Sequence, residues 1–335
     1  LFLAITLALL TAALPAAAQW TQVPEVPSTG LASVFANGDT ILATGTNVIY
    51  ISTNGGTGWK TSAALASGVG SVQAARIRNG RLYAGTFGQG VFISDDLGDT
   101  WTAFNQDLVG GFEDTQLKIV DLVVSGNKLY AATAGDGAWA RNLAGGTWSR
   151  FGDIFEPNQA ANMSSITVGG TRLLACASTN GTVYFRDPGD SDWTESLLKN
   201  VVLSPGTGPF TAIFTGSQWL VGTNTGLYHS DQGQSPWTFV NIGLGPLVNV
   251  VFANKQPLVF ASFGTSLFAE IEYSFDNGTS WQELDTLPNT FFFGLAVHGQ
   301  TLYGARGDGL WRRSIATVPT HAATWGGVKA LYRKK

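Results

Sequence analysis

The chain has 335 residues, of which only 13% are charged, against 42 glycines and 11 tryptophans, and its formal net charge is −4. That balance excludes a protein of long solvated helices and favours strands joined by tight turns. It gives no electrostatic ground for nucleic acid or an anionic membrane as a partner, and the single cysteine, Cys176, excludes an intrachain disulfide.

The first 18 residues run from Leu1-Phe-Leu-Ala-Ile to Ala16-Ala17-Ala18. An apolar stretch ending in an Ala-x-Ala site is expected to be a secretory signal peptide, its start truncated, which places the protein outside the cell or in the periplasm or cell envelope. Pro15 interrupts the stretch, and its Ala-rich end favours cleavage over an anchor. Beyond residue 19 no apolar run is long enough to span a bilayer, so no transmembrane span is expected in the mature chain.

From there a phrase recurs. Trp59, Trp101, Trp148, Trp193, Trp237 and Trp281 follow one another at 42 to 47 residues, each closing a short polar turn. A period of that length carrying several short strands predicts an all-β, seven-bladed β-propeller of four-stranded antiparallel blades over residues 19–315. The second unit is the template. Ser71-Val-Gln-Ala-Ala-Arg-Ile-Arg reads as the inner strand, Asn79-Gly80 as a tight hairpin turn, Arg81-Leu-Tyr-Ala-Gly-Thr and Val91-Phe-Ile-Ser as the next two strands, and Trp101-Thr-Ala-Phe as the outer one.

The first hairpin turn recurs at Asn37-Gly38, Asn79-Gly80, Gly126-Asn127, Gly169-Gly170, Gly216-Ser217, Asn254-Lys255 and Gly299-Gln300, hence the count of blades. The last unit supplies only three strands, ending Leu310-Trp-Arg-Arg-Ser-Ile. Trp20-Thr-Gln-Val resembles the missing outer strand, so the N-terminal segment is expected to complete the C-terminal blade and remove an exposed sheet edge. Residues 316–335 fall outside the pattern and read as a latch or sorting tail.

The phrase Ser94-Asp-Asp-Leu-Gly-Asp-Thr-Trp101 is repeated as Ser274-Phe-Asp-Asn-Gly-Thr-Ser-Trp281 and, with Asn54 for Asp, as Ser52 to Trp59. It resembles the Asp-box, or BNR repeat, of sialidase-like, WD40/YVTN-like and sortilin-type propellers, a group that includes photosystem assembly factors. The resemblance implies structural roles for Ser94, Asp96, Gly98, Trp101, Ser274, Asp276, Gly278 and Trp281 at the blade rim. It also implies that ligands sit in the central funnel. The arginine triad, Tyr–Glu nucleophile and Arg-Ile-Pro phrase of a sialidase are not matched: Arg76-Ile-Arg lacks the proline and lies in a repeat strand.

Two loops facing the funnel are long. They carry Asp107, Glu113, Asp114, Asp153 and Glu156, interleaved with Phe112, Phe151 and Phe155. Carboxylates beside aromatics suit a carbohydrate or peptide cleft, and loops on a rigid scaffold are where function concentrates. The carboxylates are the catalytic candidates and the phenylalanines the binding candidates. Arg306, in Arg306-Gly-Asp308, joins the binding candidates, although its position is that of a hairpin turn. His229, His298 and His321 have no metal-ligand spacing, and neither a metal nor a cofactor is expected. These features predict an exported, monomeric, non-catalytic scaffold that recognises a protein or glycan. The alternative is a glycoside hydrolase with two loop carboxylates across a cleft.

Overall fold

Asn79 and Gly80 both take positive φ, 51° and 79°, which is the backbone a two-residue hairpin of the primed type requires. Turns of this kind set the architecture. The computed structural model describes residues 19–27, 30–109, 112–152, 161–177, 182–196, 198, 211–240, 249–255, 258–265, 267–316 and 318. The expected signal peptide, nearly all of the tail, and Asp153, Phe155 and Glu156 lie outside them.

After β1 (Thr21–Gln22) the strands follow in fours. The first group is β2 (Ser33–Asn37), β3 (Thr40–Thr44), β4 (Ile49–Ser52) and β5 (Lys60–Thr61). The second is β6 (Val72–Arg78), β7 (Arg81–Thr86), β8 (Gly90–Ser94) and β9 (Thr102–Ala103). A 3-10 turn at Phe112–Leu117 leads into β10 (Ile119–Ser125), β11 (Lys128–Gly135), β12 (Ala138–Asn142) and β13 (Ser149–Arg150). Then come β14 (Ala161–Gly169), β15 (Arg172–Ala177), β16 (Thr182–Arg186) and β17 (Thr194–Ser196). They are followed by β18 (Thr211–Phe214), β19 (Trp219–Thr223), β20 (Gly226–Ser230) and β21 (Thr238–Val240). The last full group is β22 (Asn249–Lys255), β23 (Leu258–Gly264), β24 (Phe268–Ser274) and β25 (Gln282–Pro288), and β26 (Gly294–His298), β27 (Thr301–Arg306) and β28 (Gly309–Ser314) end the series.

Each group is an antiparallel meander, and a short pairing of β11 with β14 joins two of them. The final three strands take their fourth from the other end of the chain: Thr21 pairs with Arg312 and Gln22 with Trp311, and the Val23 amide donates to the Leu310 carbonyl at 2.8 Å. Trp20 is buried there, its ring 4.8 Å from that of Phe292. Three hairpin turns fall later than the sequence suggests. Asn37 still pairs with Thr40 and Gly169 with Arg172, so Gly38 and Gly170 supply the positive φ; β22 continues through Lys255.

The middle strands are buried on both faces, which is why they read as continuous apolar runs. Ile41 and Ala43 pack on Tyr303 and Leu310 of one neighbouring sheet, while Leu42, between them, packs on Val72 and Leu82 of the other.

The recurrent polar turns are built alike. Ser94 Oγ donates to Asp96 at 2.7 Å and accepts the Gly98 amide at 2.7 Å, and Thr100 donates to Asp96 from its amide and its hydroxyl. Ser274, Asp276, Gly278 and Ser280 repeat the network, and Ser52, Asn54 and Gly56 repeat its core. Gly98, at φ 86°, has no room for a side chain: a Cβ would lie 2.8 Å from that of Ser62. The Trp101 indole reaches back to the Ala63 carbonyl of the preceding sheet, Trp148 to that of Phe104, Trp193 to that of Phe151, and Trp237 to the Ser196 hydroxyl.

Candidate functional site: the channel between the innermost strands

The first strand of each sheet turns one face toward a shared central space. β6 lies against β2 and β10, β14 against β10 and β18, and β26 against β22 and β2. A cavity of about 730 Å³ lies between them. In β6, β10 and β14 the register skips once near the start, at Gln73, Val120 and Ser164. Such bulges re-aim side chains, and all three of these residues line the cavity.

The walls differ in character. On the β6, β10 and β14 side Gln73, Arg76, Asp121, Ser164, Ser165 and Thr167 stand among Val120, Val123 and Ile166; on the β22, β26 and β2 side Val250, Phe252, Phe291, Phe293, Leu295 and Phe35 predominate, with Ser33 beside them. Phe291 and Phe293 are 37% and 39% exposed, with centroids 4.9 Å apart in an edge-to-face pair. Soluble proteins normally bury such rings, and an exposed aromatic pair facing a polar wall is the character of a binding surface.

Arg76 and Asp121 form the fixed polar element of the channel. Arg76 Nη2 lies 2.8 Å from Asp121 Oδ1, which also accepts the Leu122 amide, while Oδ2 accepts the Ile166 amide at 3.1 Å. Burial pushes the Asp121 carboxyl up, against the opposing pull of Arg76 and the two amides. The guanidinium rests 4.8 Å from the Phe35 centroid.

The loop candidates are placed differently from one another. Asp107 and Asp114 are exposed, each at positive φ, and Asp114 accepts from Gln116 Nε2 at 3.3 Å. Glu113 and Phe112 share the 3-10 turn with Asp114, their side chains being outside the described set. Phe151 is half-buried in the core between sheets, against Tyr130 and Trp193 and beneath the Arg186 guanidinium at 3.7 Å. Arg306 is engaged within its own hairpin, 3.0 Å from Asp308 and 4.3 Å from the Trp311 ring.

A different set of carboxylates comes together on β24 and β25. A bulge at Leu284 sets Glu283 opposite Glu272, and Glu270 follows two residues along. Glu270 and Glu272 hydrogen-bond to each other, and burial first, then the charge of Glu270, pushes Glu272 up to about 7. These are neighbours on one strand, not partners across a cleft. Among the described residues no group of three or more His, Cys, Asp or Glu is placed to hold a metal ion, and no helix is long and apolar enough to cross a membrane.

Sequence reasoning did not single out Phe291, Phe293 or Asp121 as functional. An acid within Ile119-Val-Asp-Leu-Val and the run Phe291-Phe-Phe293 were the available signals.

No family model matches the sequence, and no curated protein matches it. Solved structures do resemble the chain. YCF48 bound to D1 peptide has a TM-score of 0.66 at 15% identity, covering 90% of this chain and 97% of that one. Virginiamycin B lyase from Staphylococcus aureus has a TM-score of 0.69 at 12% identity, covering 89% and 98%. The GH74 xyloglucanase from Xanthomonas campestris has a TM-score of 0.63 at 16% identity, covering 92% of this chain and 55% of that one. At such identities the likeness concerns the fold, and the fold is a β-propeller.

Proposed function

We propose that this chain is an exported, seven-bladed propeller of the Asp-box type whose channel mouth binds a protein or glycan without transforming it. The pairing of β1 with β28 and the contacts of β26 with both β22 and β2 support a closed ring completed by the N-terminal strand. The Ser-x-Asp-x-Gly hydrogen-bond networks support the Asp-box reading, and the apolar leader supports export.

The observation that carries the binding role is the two-sided channel, with Phe291 and Phe293 exposed opposite strands that present Gln73, Ser164, Ser165 and Thr167 beside the Arg76–Asp121 pair. Such a mouth matches a ligand with one apolar and one hydrogen-bonding face, which both an extended peptide and a sugar present. YCF48 holding a D1 peptide on a similar fold supports the peptide form. A hydrolase needs two carboxyls facing each other across a cleft; Asp107 and Asp114 are exposed turn residues, and Glu270 and Glu272 stand side by side.

A glycan and peptide binding array with product analysis in the same wells tests the reading. Binding without turnover, lost in Phe291→Ala/Phe293→Ala, is the expected result. Turnover, or binding indifferent to both phenylalanines, would overturn it.

A further inference from the structure

The channel has a second end, at the hairpins that follow β2, β6 and β10. A cavity of about 240 Å³ lies there, sharing Phe35, Arg76 and Val123 with the larger one. Phe35, Ile77, Val123 and Val124 give it an apolar wall, and Arg78 stands beside them with Asn37.

The arginines here are not equivalent. Arg76 is matched by Asp121 at 2.8 Å, and Arg81 by both oxygens of Asp95, at 2.6 and 2.9 Å. Arg78, opposite Arg81 in the hairpin, has neither an ion pair nor a side-chain hydrogen bond among the described residues. Burial raises the nearby Tyr83 hydroxyl, and the positive charges of Arg81 and Arg78 pull it back. Arg76 and Asp121 cancel, so the pocket carries one uncompensated positive charge in an apolar setting.

We propose that this pocket is a second binding site, in which Arg78 takes the carboxylate of a monoanionic ligand with a short apolar body. A guanidinium presents two parallel N–H donors, the geometry a carboxylate accepts. A dianion would leave a charge unmatched beside Ile77 and the valines, whereas an apolar chain gains by covering them. A free organic acid and the C-terminal residue of a peptide share this chemistry. The site does not rest on the reading of the opposite mouth.

Calorimetric titration of the whole chain tests it with four probes: hexanoate, hexanamide, N-acetyl-alanyl-leucine and its C-terminal amide. At least one acid is expected to bind at least about tenfold more tightly than its amide, and Arg78→Gln to weaken that acid by about tenfold. Arg81→Gln and Phe291→Ala/Phe293→Ala should leave the titration unchanged. Preference for hexanoate identifies a free acid as the ligand type, preference for the dipeptide a chain terminus. The proposal is overturned if acids and amides bind alike, if Arg78→Gln binds as the parent does, or if neither acid binds at millimolar concentration.

Discussion

Arg76 on β6 and Asp121 on β10 meet at 2.8 Å across the channel wall, and the contact continues beyond both of them. The Phe35 ring of β2 lies against the guanidinium, and the Ile166 amide of β14 donates to the other carboxylate oxygen. One chain of contacts therefore crosses four innermost strands, one from each of four successive four-strand groups. Both side chains are about one-fifth exposed, so removing either one strands the other in a poorly solvated place.

Asp121→Ala and Arg76→Ala are each expected to cost roughly 2–4 kcal/mol, and the double variant clearly less than the two together. Urea unfolding of the four proteins measures the coupling, expected at about 1–3 kcal/mol. Additive losses would show that the pair is not a strut.

Glu272 makes stability depend on pH, because burial raises its carboxyl to about 7 in the folded protein. An acid raised on folding holds its proton in the native state over a range where the unfolded chain has released it. The native state then loses stability as pH rises from about 4.5 toward 7. Glu272→Gln removes that loss and can still donate to Glu270. Its melting temperature should match the parent at pH 4 and exceed it at pH 8, with a gain of at most roughly 3 kcal/mol. An equal shift at both pH values would place the effect in packing instead.

The recurrent turns should fail in acid. Hydrogen bonds from the Thr100 hydroxyl and amide, then from Ser94, hold the Asp96 carboxyl down at about 2. Asp276 is also lowered, since bonds from Ser280 and Ser274 outweigh its burial. Groups depressed on folding support the native state above about pH 4 and lose that support as pH falls toward 2. Ser94 is buried and serves both Asp96 and the Gly98 amide, so Ser94→Ala leaves that amide unpaired. A loss of about 1–3 kcal/mol is expected by calorimetry, and Ser274→Ala should behave the same way.

Much of this architecture could be read from what repeats. Asn79-Gly80 marks a hairpin because few other dipeptides tolerate two positive φ values, and Ser94 to Trp101 marks a turn held by the hydrogen bonds of its own serine and aspartate. Trp20 was recognisable as an outer-strand residue by its likeness to Trp101. The channel lining was harder to read, because a site is made where the units differ. Asp121 and Phe291 have no counterparts to flag them. The bulges at Gln73, Val120 and Ser164 also break the alternation that would tell an inward residue from a buried one. Asp107 and Asp114 looked like cleft carboxylates by their aromatic neighbours, yet each occupies a positive-φ turn position, where Asp is favoured for backbone reasons.

The tryptophans that end these turns are alike in sequence and unlike in their bonds. Trp101, Trp148 and Trp193 each donate to a backbone carbonyl of the preceding sheet. Trp20 and Trp59 bury their indole nitrogens with no partner among the described residues. Trp20 adjoins β1, and Trp59, next to β5 of the adjacent sheet, packs edge-on to Tyr303 of β27, so both pack on the sheet that joins β1 to β28. At these two indoles packing acts alone, and the hydrogen bonds to the neighbouring sheet come from other side chains, the Tyr303 hydroxyl to the Gly55 carbonyl at 3.2 Å and Arg312 to that of Gly56 at 3.5 Å. Replacing Trp by Phe trims comparable ring area at either position, but only at Trp101 does it break a bond. Trp101→Phe should therefore cost about 1 kcal/mol more than Trp59→Phe in urea unfolding. Equal losses at the two tryptophans would remove the indole bonds from the account of how the sheets are held together.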